Sequence, residues 1–301
     1  MNVDRELLSR HATFDDDGIE ERAFHIEADG GLCFALMYRP PEPKDTGFIV
    51  CHSYGLEFLT LRRTERAVAR TLASRGHPVV AVHCRGFGDS SGSLADTTLD
   101  SISTDIRAAA DHLAAETGTT RLGLVGAKFG GLVAGMIARA GGIDRLILVN
   151  PAIDGRGYFR QMIREMRLVR MSNNEKTSLD DYLKLLPENG MLDVLGNDVY
   201  APLFEAFEAA DLAADIGNYS GDTLAFNVSK RPTTPRQLAA YAKRVEEAGG
   251  TCEVEFVREP PNATFGGPAF VNTSSDLNTR IDVQVPIVDH ITHRVGEWMS
   301  S

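Results

Sequence analysis

The chain has 301 residues, of which 43% are hydrophobic and 24% charged, a balance that fits one globular core with an inserted subdomain and excludes a disordered or fibrous polymer. Its formal net charge of −11 repels a phosphate backbone and argues against nucleic acid as the partner. No run reaches the roughly 18 uncharged apolar residues of a membrane span, and the charged start MNVDRELLSRHATFDDDG has no apolar signal region, so a cytoplasmic, membrane-free protein is expected.

Segments 22–28 and 32–38 alternate as a strand pair. GFIVCHS (47–53) is apolar throughout, as a strand covered on both faces requires. A helix is predicted over 60–75, a strand over 78–84, a helix over 98–116, a strand over 121–127, a helix over 129–140 and a strand over 145–151. Strands and helices alternating at these lengths predict an α/β fold with a doubly wound, mostly parallel sheet. The alternation stops at Asp154-Gly155, and 155–220 reads as helix-rich without a convincing strand. It resumes with the strand 222–229, the helix 235–249, the strand 252–259 and a last helix at about 286–299. The expected organisation is a core of 1–154 and 221–301 with a helical lid of 155–220 over the carboxyl ends of the strands. Cys33, Cys51, Cys84 and Cys252 fall in apolar runs and read as buried reduced thiols.

Chemistry concentrates at Gly126-Ala127-Lys128-Phe129-Gly130-Gly131, between a strand and a helix. Small residues at 126 and 130 permit the sharp turn of a nucleophile elbow, which drives its central side chain into the crevice. That side chain is Lys128, where a hydrolase carries Ser, Cys or Asp. His52-Ser53-Tyr54-Gly55 follows the strand 47–51, and His83-Cys84-Arg85-Gly86-Phe87-Gly88-Asp89-Ser90 follows the next.

On these motifs the chain resembles α/β hydrolases of the serine-aminopeptidase type, and within them the exosortase-associated hydrolases, over roughly residues 20–300. The resemblance implies an oxyanion-hole loop at 53–55 and matches 83–90 to a D-x-R-G-x-G-x-S turn with His83 in place of Asp. It places the acid after the strand 222–229, where Arg231 stands, and the histidine after the last strand, where Thr264 stands. No Asp or Glu occurs between Asp222 and Glu246, and no His between His112 and His290. A Ser-His-Asp mechanism needs hydroxyl, base and orienter in mutual reach. None stands at its expected position.

Three readings of Lys128 stay open. A helix N-terminus and an apolar pocket disfavour the ammonium and would leave a neutral amine nucleophile. A fixed cation would hold a carboxylate, phosphate or enolate beside backbone N–H groups. A decayed elbow would let the lysine snorkel to solvent, at a helix-dipole cost of ~0.3–1 kcal/mol. His83 is the candidate proton shuttle, with a packed structural role weighed against it, and Tyr54 the polarising hydroxyl. Ser53, Gly55, Phe129 and Asp154 are the expected pocket residues; Ser53 would alternatively be a displaced nucleophile, and Asp154 an alternative acid or simply the turn that opens the lid. Glu57 is the nearest acid to the 53–55 loop. Arg156, Arg160, Arg164, Arg167 and Arg170 form a stripe that would either guide an anion or pair with local acids. His290 and His293 read as surface residues.

No cofactor motif and no metal-ligand spacing occurs, so the expected chemistry uses neither. The expected ligand is a small-molecule or carrier-bound acyl or carbonyl compound, handled by acyl transfer, cyclisation or lyase chemistry. The rivals are a pseudoenzyme kept as a receptor or scaffold, and a hydrolase with relocated residues.

Overall fold

The computed structural model describes residues 12–171, 177–261, 265–266 and 277–300. Strands β1 (Ala12–Phe14), β2 (Glu20–Ala28) and β3 (Gly31–Arg39) open it as an antiparallel meander. Asp29 and Gly30, at φ 46° and 75°, close the β2–β3 hairpin with the left-handed pair that a two-residue turn demands. Next come β4 (Thr46–Cys51), α1 (Gly55–Ser74), β5 (Val79–Val82), α2 (Leu99–Thr117), β6 (Arg121–Ala127), α3 (Phe129–Ala138) and β7 (Arg145–Val149).

The segment between β7 and the next core strand holds α4 (Gly155–Met171), α5 (Leu179–Asn189), the strands β8 (Met191–Val194) and β9 (Asn197–Tyr200), and α6 (Ala201–Glu208). The core then returns with β10 (Asp222–Ser229), α7 (Arg236–Glu247), β11 (Thr251–Arg258) and α8 (Leu277–Trp298). The sheet runs β1-β2-β3-β5-β4-β6-β7-β10-β11, and from β5 to β11 every pairing is parallel. This is the doubly wound, mostly parallel α/β sheet that the alternation predicts.

Both faces are covered, which is why β4 is buried at every residue. Phe48 and Val50 pack with Leu61, Val68, Ile291 and Trp298 of α1 and α8. Ile49, Leu124 and Leu148 pack on the other face with Ile106, Leu132 and Val245 of α2, α3 and α7. The register sets Cys51 beside both Val82 and Gly126, so β4, β5 and β6 end at one level. Residues 52, 83 and 128 leave the sheet there.

Two expectations need correction. The 155–220 segment is not helix alone, because β8 and β9 pair as a hairpin through Leu195 and Gly196 at φ 57° and 82°. Leu192, Val194 and Val199 fill its buried face, so tertiary burial selects the strand state. The last helix begins at Leu277, ahead of the expected start at about 286, and carries Pro286 inside it. Cys33, Cys51 and Cys84 are buried free thiols, and Cys252 is half-buried. Among the described residues no helix is long and apolar enough to cross a membrane.

Candidate active site

Lys128 sits in a strand-to-helix turn at φ 50° and ψ −114°, a region that L residues rarely occupy, and caps the N-terminus of α3. Surrounding contacts impose this conformation. A Cβ on Gly126 would lie 2.2 Å from the Gly130 carbonyl oxygen, and one on Gly130 would lie 2.1 Å from that of Cys51. The Lys128 N–H donates to the Val149 carbonyl at 3.0 Å, and its own carbonyl accepts from Gly131 and Ala152, each at 3.0 Å. With the backbone tied between β7 and α3, the side chain is driven out over the strand ends.

The side chain reaches a cavity of about 80 Å³. Glu57 and Tyr54 of the α1 start, Tyr158 and Met162 of α4, and Leu195 and Asn197 of the hairpin line it with Lys128. The Tyr158 hydroxyl donates to Glu57 Oε2 at 3.0 Å. The Phe129 backbone N–H, the first of α3, also favours the ionised form of that carboxyl. Burial pushes Glu57 up to about 7, against the Lys128 charge, the Tyr158 hydroxyl and the Phe129 amide, which all favour its ionised form. Lys128 also borders a second cavity of about 210 Å³, with Asn150, Asp154, Tyr158, Gln161 and Gln237.

The family model "Serine aminopeptidase, S33" matches residues 40–180. Among solved structures, Est1E from Butyrivibrio proteoclasticus with ferulic acid bound superposes with a TM-score of 0.63 at 19% identity, covering 92% of this chain and 98% of that one. The Pyrococcus furiosus esterase Pf2001 superposes at 0.58 with 16% identity, covering 95% and 91%. XC6422 from Xanthomonas campestris, described as an α/β serine hydrolase without a lid, superposes at 0.52 with 16% identity, covering 96% and 98%. The chain has the α/β-hydrolase fold. No match was found among curated proteins.

In an α/β hydrolase the N–H after the elbow residue is an oxyanion-hole donor. In this chain the N–H at that place, of Phe129, acts on Glu57. The other residues singled out from the sequence are distributed unevenly around it. Gly55 lines the Lys128 cavity. The Phe129 ring is buried among Tyr54, Tyr158 and Phe207, leaving the amide as its contribution. Tyr54 reaches the cavity, but its hydroxyl donates to the Asp198 carbonyl of β9, so it is not a free polarising donor.

Ser53 does not face the pocket. It is fully buried, its hydroxyl 2.9 Å from both Glu65 Oε1 and the Ala127 carbonyl oxygen. Asp154 accepts from the Gly157 N–H at 3.0 Å and from Gln237 Nε2 at 3.1 Å, so it opens α4 and fastens it to α7. His83 was expected beside Lys128 and instead lines a separate cavity under α1, because β5 ends against that helix. His52 is structural. Its Nδ1 lies 2.9 Å from the Ser53 carbonyl, its Nε2 accepts from the Cys84 N–H at 3.2 Å, and burial pushes it down to about 4.

Arg231 is exposed after β10, and Thr264 lies outside the described residues. The arginine stripe pairs locally: Arg156 with Glu208 at 3.6 Å, Arg160 with Asp180 at 3.5 Å, Arg170 with Asp193 at 3.2 Å. His290 and His293 pair with Glu255 and Glu297 at 2.9 and 3.2 Å on the surface. Among the described residues, no group of three or more His, Cys, Asp and Glu side chains is arranged to hold a metal ion. Sequence reading noted Glu57 only as a nearby acid and missed Tyr158 and Glu65. The usable signal for Glu57 is its place at the third residue of α1, where a side chain can turn back toward the loop.

Proposed function

We propose that this protein works without a Ser-His-Asp triad, as an enzyme acting on a small-molecule or carrier-bound acyl or carbonyl compound. Lys128 supplies the amine or cation at the elbow, Glu57 moves the proton, and residues 155–220, which wall the cavity, act as its lid. The observation that carries this reading is the Glu57 carboxyl, pushed up to about 7 in the same cavity as Lys128. A carboxyl that exchanges its proton near neutrality, beside an amine held in a strained turn, suits proton transfer at a carbonyl. The acid–base role that the sequence offered to His83 therefore falls to Glu57.

A second reading, a receptor without turnover, is favoured by the engaged Ser53 and Tyr54 hydroxyls and by the small volume of the cavity. The relocated-hydrolase reading loses its nucleophile with Ser53 sealed against Glu65.

Reductive trapping tests the leading reading. The full chain is incubated with glyoxylate, pyruvate or acetaldehyde and cyanoborohydride at pH 7, and adducts are mapped by peptide mass spectrometry. Selective modification of Lys128 over the exposed Lys184 and Lys243 is expected, slowed on the order of 10²-fold in Glu57→Gln. Equal labelling of the three lysines would remove the amine role. Unchanged labelling in Glu57→Gln would remove Glu57 from the chemistry.

A further inference from the structure

On the α1 face of the sheet lies a cavity of about 330 Å³, separate from the one that Glu57 shares with Lys128. Its floor is apolar, made by Leu36, Val50 and Ala81 of β3, β4 and β5, with Phe58 of α1 closing one wall. Arg62 and Arg63 stand exposed at its mouth. Neither forms an ion pair with a carboxylate among the described residues, and the Arg62 guanidinium lies over the Phe58 ring at 5.4 Å from its centroid. By contrast, the neighbouring Arg66 is bound to Glu21 at 2.9 Å, and the Glu65 carboxyl is held by Ser53.

His83 adds a polar group to the interior. His83 is buried, with 8% of the residue exposed, it lines the cavity, and its ring makes no hydrogen bond among the described residues. Phe34 and Phe58 hold the ring in place, at centroid distances of 5.3 and 5.0 Å. Its Nδ1 is sealed against Gly88, which leaves Nε2, also without a hydrogen bond, as the ring nitrogen that a ligand can meet. Burial and the Arg62 charge push His83 down to about 4, so near neutrality its ring is neutral and carries one N–H to donate.

We propose that this cavity is a second binding site, for a small carboxylate carrying a short apolar tail. The tail lies on Val50, Ala81 and Phe58, and the carboxylate meets Arg62, Arg63 and the His83 N–H. Fork-shaped guanidinium donors match a carboxylate, and the apolar floor excludes an ion without a tail. The inference is independent of the role of Lys128.

Calorimetric titration of the full chain at pH 7 with octanoate, octylamine and inorganic phosphate tests it. Octanoate is expected to bind at one site, with octylamine and phosphate at least about tenfold weaker. The double variant Arg62→Gln, Arg63→Gln changes exposed residues only and is expected to weaken octanoate by about tenfold or more. Lys128→Ala is expected to leave octanoate binding in place. The proposal is overturned if octanoate does not bind, or binds the double variant unchanged. Loss of binding in Lys128→Ala, or phosphate binding as well as octanoate, overturns it equally.

Discussion

The Tyr158 hydroxyl donates a 3.0 Å hydrogen bond to the Glu57 carboxyl, joining the first turns of α4 and α1 across 101 residues of chain. A donor to a carboxylate favours its ionised form, so this bond works against the burial that raises Glu57 to about 7. Tyr158→Phe is therefore expected to move the Glu57 titration upward, read by carbon NMR of labelled glutamate or by the pH profile of Lys128 trapping. A midpoint that stays near 7 or falls would mean that the hydroxyl does not set the protonation of this group.

Serine-directed fluorophosphonates are expected to leave the protein unmodified at neutral pH. The elbow carries no hydroxyl, and the nearby Ser53 is fully buried with its proton committed to Glu65 or the Ala127 carbonyl. Stoichiometric labelling mapped to Ser53 would contradict the geometry around it.

The turn at Lys128 predicts an unusual order of stabilities. Lys128→Ala removes a positive charge from a helix N-terminus, worth ~0.3–1 kcal/mol, but keeps a Cβ at φ 50°. Lys128→Gly relieves the strain, roughly 1–3 kcal/mol, at an entropic cost of roughly 0.5–1 kcal/mol. Urea unfolding should rank glycine above alanine by about 1 kcal/mol. The reverse order would show that the turn is unstrained.

Glu65 gives a pH dependence of stability. Its carboxyl is raised by burial from 4.5 to about 7, so the fold keeps the proton after the unfolded chain has released it. The associated stability is fully present below pH 4.5 and is lost as pH climbs through about 7. Glu65→Gln keeps an acceptor for the Ser53 N–H and hydroxyl and cannot ionise. It should flatten the fall in unfolding free energy over that window by on the order of 1–3 kcal/mol. An unchanged slope would assign the pH dependence to other groups.

The sequence carried the core of the fold in its rhythm. Apolar runs such as Phe48–Cys51 and Leu122–Ala127 can only be strands covered on two faces, and the Gly126 and Gly130 spacing around Lys128 encodes the turn directly. The β8–β9 hairpin was not legible, because Leu195-Gly196 is not one of the turn pairs that announce themselves locally. The site was half legible for a related reason. Lys128 is positioned by local geometry, whereas the Tyr158–Glu57 bond depends on how two distant helices meet. Which side of the sheet His83 enters follows from the packing of β5 against α1, and no spacing in the chain records it.

The turn that presents residue 128 behaves as a socket. Its shape is written in the glycines at 126 and 130 and in the backbone bonds to Val149 and Ala152, none of which touch the presented side chain. The identity of the exposed group is thereby uncoupled from the architecture that aims it. A single codon can exchange one reactive group for another while the strand, the helix and the cavity wall keep their places. What such an exchange yields is decided by the wall, so Lys128→Ser would seat a hydroxyl opposite a carboxyl, with no imidazole supplied by the residues lining either adjoining cavity.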